Sequence, residues 1–124
     1  MISCGIWPDG KKLVVVVLDD AGRARKPILV SRTERAAEAL VIYLAEDLAA
    51  EIVLVDTCLK RIGRAFVRSE RVWVAPAAVV EPIRYAAALS PRAAAAMLAR
   101  LPRIPALRSQ LRRPACDPRQ LTLL

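Results

Sequence analysis

Residues 13–18 read Leu-Val-Val-Val-Val-Leu, and few settings accept such a run. It lacks the polar alternation of a strand with one wet face, so it belongs inside a sheet covered on both sides. Just before it, Pro8-Asp9-Gly10 carries turn chemistry: proline presets φ, aspartate bonds its own backbone, and glycine supplies φ > 0. Ile2 to Trp7 and Leu13 to Leu18 therefore read as two strands joined by a tight turn. The carboxyl end of a central strand is a common place for chemistry in α/β folds. Here Trp7 holds that place.

Asp19-Asp20-Ala21-Gly22 makes a second turn, and Lys26 to Ser31 reads as an edge strand that tolerates Pro27 at its start. The period then changes. Ser31-x-x-Glu34 is a candidate capping box with Thr33 as the rival cap, and Ala36, Leu40, Leu44 and Leu48 form one apolar stripe running to about Ala50. Glu51 to Thr57 is a short buried strand with Asp56 at its polar tip. Leu59, Ile62, Phe66 and Val67 mark a second helix whose other side is basic, and Arg71 to Ala75 is a fifth strand closed by Pro76. Pro82 suits a helix first turn, Ser90-Pro91 is an N-cap and N1 pair, and Pro105 to Arg113 has room for one more short helix.

The order β-β-β-α-β-α-β gives three antiparallel strands followed by two right-handed crossovers. That predicts an α/β fold with a mixed five-stranded sheet and helices on its faces; it resembles the ribonuclease-H-like arrangement, which has this string of elements and implies the sheet order 3-2-1-4-5. Residues 1–101 form this domain, and 102–124 are an Arg/Pro-rich, helical C-terminal extension.

The net charge is +8, and its distribution matters more than its size. From Pro82 through Cys116 there are seven arginines and no acid. Guanidinium suits bidentate phosphate contacts, so DNA or RNA is the expected partner, with a plain solvated face as the simpler account. The candidate contacts are Lys60, Arg61, Arg64, Arg68, Arg84, Arg92 and Arg100. No apolar run reaches the roughly 18 residues of a membrane span, and no secretory signal is visible, so a cytoplasmic setting is expected. With no histidine and only Cys4, Cys58 and Cys116, a four-ligand zinc site and a Ser-His or Cys-His pair are both excluded within one chain. The cysteines read as small buried hydrophobes in preference to a Cys4–Cys58 contact.

Four stretches, GIWPDGKKL, Asp56-Thr57, VWVAP and SPRAAAAMLARL, together resemble in order and spacing the RuvC-like DEDD transposases of bacterial insertion sequences. The resemblance covers roughly residues 2–101. It implies a site in which four carboxylates hold two divalent ions about 3.5–4 Å apart for in-line phosphoryl transfer. This sequence departs from that pattern. The first acid falls on Trp7, the two helix acids on Pro91 and Ala94, and the second acid on Val55 or, shifted by one, on Asp56.

Local structure accounts for the replacements, with Asp56 as a cap for the second helix and Asp9 as a turn residue. Ser90 and Ser109 match no counterpart of the serine nucleophile that such transposases carry in a second domain. The expectation is a truncated, catalytically inactive domain with no catalytic residue, metal or cofactor, retaining nucleic-acid binding. Two alternatives stay open. One is a nuclease or resolvase using Asp9 and Asp56, with Asp19 or Asp20, and Mg²⁺ or Mn²⁺. The other is a self-associating interaction module, such as a homodimer.

Overall fold

The computed structural model describes residues 1–60, 62–67 and 69–114. Arg61, Arg68 and the tail from Ala115, Cys116 included, lie outside the described residues.

The run of valines does sit inside the sheet. Strand β1 (Ser3–Asp9) pairs antiparallel with β2 (Lys12–Leu18), and every residue from Leu13 to Leu18 is buried. Pro8 and Asp9 belong to β1, which corrects the turn read at Pro8-Asp9-Gly10. The ladder runs on to Asp9↔Lys12, leaving Gly10 and Lys11 as the whole turn. Gly10 has φ +59 at the first central position, the conformation that lets a two-residue hairpin follow the strand twist. Strand β3 (Ile28–Ser31) lies antiparallel on the other side of β2. Strands β4 (Glu51–Val55) and β5 (Val72–Ala75) follow β1 in parallel, giving the order β3-β2-β1-β4-β5.

Helix α1 (Glu34–Ile42) connects β3 to β4. Thr33 is its cap: its hydroxyl accepts from the Ala36 N–H at 3.2 Å, while Ser31 ends β3. The helix widens into a π turn over Tyr43–Asp47, and Ala49, at φ 48, redirects the chain into β4. A 3₁₀ turn (Asp56–Leu59) and α2 (Gly63–Val67) connect β4 to β5. Both crossovers advance the same way across the sheet, so α1 and α2 share one face and pack on each other.

The other face is covered by α4 (Pro91–Arg100), lying over β1 and β2. Its approach is unusually close. A Cβ at Gly5 would stand 1.8 Å from the Ala95 carbonyl oxygen and 2.8 Å from the Ala99 nitrogen. Glycine on the strand and a run of alanines on the helix are thus one device, letting backbone rest on backbone. Ser3 strengthens the contact, its buried hydroxyl donating to the Ala99 carbonyl at 2.7 Å.

Helix α3 (Ala77–Ala86) begins five residues before Pro82, which the sequence reading placed in a first turn; Pro82 instead sits inside the helix. The last helix, α5 (Pro105–Arg108), is shorter than the pattern to Arg113 suggested. The chain then returns along β5, where Arg112 exchanges both backbone hydrogen bonds with Val74 (2.7 and 3.1 Å). No helix among the described residues is long and apolar enough to cross a membrane.

Candidate functional site

Two contacts orient α4. Ser3 meets Ala99 and Gly5 meets Ala95, so the helix runs antiparallel to β1 and its Pro91 end points toward Trp7. The carboxyl ends of β1 and β4 and the start of α4 therefore converge, and the positions singled out by the sequence lie in this region.

Trp7 is 3% exposed, and the guanidinium of Arg84, from the last turn of α3, lies over its ring at 5.4 Å from the centroid. The negative face of the indole attracts the cation. Asp56 directly follows β4. Its Oδ1 accepts from the Ala77 N–H at 3.2 Å, and its Oδ2 faces Arg112 Nη2 at 3.5 Å. Asp56 is thus a cap, but for α3, which follows the neighbouring strand β5; this corrects the expectation that it caps the second helix. Pro91 is the first residue of α4, behind a Ser90 hydroxyl that accepts from the Ala93 N–H at 3.2 Å. Ala94 is fully buried in the helix that packs on β1, and Val55 is fully buried at the end of β4.

These side chains do not fit a two-ion centre. Trp7, Pro91, Ala94 and Val55 offer no oxygen, and both oxygens of Asp56 already face donors. Among the described residues, no group of three or more His, Cys, Asp or Glu is placed to hold a metal ion. The remaining acids of the nuclease alternative are dispersed. Asp9 is exposed at the last rung of the hairpin, opposite Lys12. Asp19 and Asp20 stand at the other end of β2: Asp19 Oδ1 accepts from the N–H groups of Ala21 and Arg23, both at 2.9 Å. Asp20 meets the terminal ammonium of Met1 at 2.7 Å, a hydrogen bond and charge that lower its pKa.

The basic candidates do not form one surface. Lys60 and Arg64 are exposed on the α2 side, whereas Arg92 and Arg100 are exposed on α4, across the sheet. Three arginines of the acid-free segment serve the fold. Arg103 Nε donates to Ser3 Oγ at 2.9 Å, while its Nη2 donates to the carbonyls of Met1 and Asp19, both at 2.7 Å. Arg112 faces Asp56, and Arg113 lies over Trp73 at 3.7 Å from the ring centroid. The sequence held one hint of the Arg103 clamp: Ser3, a polar residue at the start of an otherwise apolar strand, buried where Arg103 reaches it.

Cys4 and Cys58 are free and buried. Each Sγ lies near a carbonyl, Glu51 at 3.5 Å and Ile6 at 3.8 Å respectively. Burial pushes both thiols up to about 12; Glu51 adds to the rise at Cys4, and Arg32 opposes it at Cys58. An open cleft of about 680 Å³ at the other end of β4 is lined partly by Glu38, Glu46, Glu51 and Glu70, with Arg71 and Arg113 among them.

No family model matches the chain, and no curated protein matches it.

Proposed function

We propose that this chain is a ribonuclease-H-like domain, a catalytically inactive relative of the insertion-sequence transposases, which binds DNA or RNA through arginine-bearing surfaces in the cytoplasm. The fold assignment is supported by the strand order β3-β2-β1-β4-β5, with only β2 antiparallel to its neighbours. The bonding of Asp56 carries the loss of catalysis. The one acid at the end of β4 is spent on the Ala77 N–H and on Arg112, and the neighbouring strand places the buried ring of Trp7 just past its last pairing with β4. Nucleic-acid binding is supported by the exposed arginines of α2 and α4 and by a net charge of +8.

A fluorescence-anisotropy titration against labelled duplex DNA at increasing salt tests the binding. Each phosphate neutralised releases counterions, so log affinity falls against log salt with a slope of about −0.9 per contact. Absence of binding at low ionic strength, or indifference to salt, selects the self-association reading instead. That second reading draws on Val79 and Ile83, which lie one helical turn apart on α3 and are 39% and 48% exposed.

A further inference from the structure

We propose that the corner where α3 passes into α4 seats one backbone phosphate of a nucleic-acid strand, held by guanidinium groups with no divalent ion between. This rests on the nucleic-acid reading above and names the place of contact.

The topology selects the corner. The connection leaving β1 turns toward β2, while the one leaving β4 runs to β5, so the chain diverges between these two strands. Ligands of open α/β sheets bind outside the carboxyl ends of the strands at such a point. In this chain the ground there is cationic. Trp7 forms the floor; at 3% exposure its ring is closed to a stacking base, but it holds the Arg84 guanidinium above it.

Arg84 has capacity to spare. Its Nε is buried and meets no acceptor, and its one ion pair among the described residues, with Glu81, is 3.9 Å long. The side chain as a whole is 32% exposed. A planar fork held over an aromatic face and short of acceptors suits a phosphate.

A second cation arrives from the next helix. The connection from Ala87 to Ser90 is short, pinned by the Leu89 N–H donating to the Arg84 carbonyl at 3.0 Å. Arg92, exposed in the first turn of α4 at the positive end of the helix dipole, is the residue assigned as that second cation. Arg103, Arg112 and Arg113 are engaged with protein groups and are not part of this seat. With the ring covered and only phosphate addressed, binding is tolerant of sequence.

The test uses the full chain carrying Trp73→Phe, which leaves Trp7 the only tryptophan. Oligothymidylate and oligouridylate are titrated in EDTA, following Trp7 emission and, with labelled strands, anisotropy. The expected result is binding without metal, a change in Trp7 emission, and about tenfold weaker affinity in Arg84→Gln, with the salt slope reduced by about 0.7. Arg92→Gln weakens binding in the same way. Arg84→Lys, which keeps charge and stem, recovers the slope but not the full affinity. Arg25→Gln, on the exposed loop between β2 and β3, leaves both unchanged. Which oligonucleotide shows the effect identifies the strand as DNA, RNA or either. Unchanged affinity and slope in folded Arg84→Gln and Arg92→Gln overturn the seat while nucleic-acid binding stands. Binding that requires Mg²⁺ overturns its metal independence. No binding by the unsubstituted chain overturns both the seat and the function it rests on.

Discussion

Asp56 Oδ1 accepts a hydrogen bond from the backbone N–H of Ala77 at 3.2 Å. The bond joins the end of β4 to the start of α3, and it explains why that helix begins at Ala77 without a capping side chain of its own. An acid so placed is a structural acceptor. Substitution therefore separates the cap from the charge. Asp56→Asn keeps an acceptor for Ala77 and loses only the exposed pair with Arg112, so stability falls by no more than about 0.5 kcal/mol. Asp56→Ala removes the acceptor and costs about 1 kcal/mol. Urea denaturation of both variants measures the difference.

Gly5→Ala is expected to be the most damaging small change in the sheet. Its methyl would lie 1.8 Å from the Ala95 carbonyl oxygen, against backbone that cannot rotate away. Lifting α4 off β1 costs about 3 kcal/mol or more, judged from overpacked cores. Gly10→Ala meets no neighbour within 4 Å and bears only the strain of φ +59, about 1 kcal/mol. Denaturation midpoints should rank the two in that order.

Arg103 clamps the chain start to the β2–β3 turn through the carbonyls of Met1 and Asp19 and the hydroxyl of Ser3. Arg103→Ala removes charge-assisted bonds and should cost about 1.5–3 kcal/mol. Arg103→Lys recovers part of this, because an ammonium cannot reproduce the guanidinium fork. Amide hydrogen exchange should quicken first around Leu18 to Gly22, the segment the clamp holds.

The buried thiols predict an alkaline weakness. Cys4 and Cys58 titrate near 12 when folded, against an ordinary value of 9.0. Between those values the unfolded chain has released protons that the folded chain retains, so stability falls as pH rises through this window. Replacing both cysteines with alanine should flatten the decline seen in denaturation curves from pH 9.0 upward. At neutral pH neither thiol should be alkylated until the protein unfolds.

The sheet was legible because its signals are local. Four consecutive valines demand burial, and the change from period two to a four-residue stripe at Ala36 and Leu40 marks the first crossover. Thr33 over Ser31 was undecided, because either hydroxyl suits a cap until β3 claims Ser31. The failures were non-local. Nothing adjacent to Ala77 announces a helix start, since its acceptor lies 21 residues away in Asp56. The arginines after Pro82 read as phosphate contacts, yet Arg103 reaches back to Ser3 and Arg112 to Asp56, and neither pairing leaves a mark in spacing. At the site, it was plain in the sequence that Trp7, Pro91 and Ala94 offer no side-chain oxygen to a metal. That Trp7 would lie under Arg84 was not, because it depends on how α3 crosses the strand ends.

The most direct measurement is a cleavage assay on branched, duplex and single-stranded substrates with Mg²⁺ or Mn²⁺, comparing the unsubstituted chain with Asp56→Asn. Two-ion phosphoryl transfer needs several carboxylates converging on the metals, and Asp56 is bound to Ala77 and Arg112. The account predicts intact substrates with both proteins. Metal-dependent cleavage by the unsubstituted chain that disappears in Asp56→Asn would contradict it and make the β4 acid a catalytic residue.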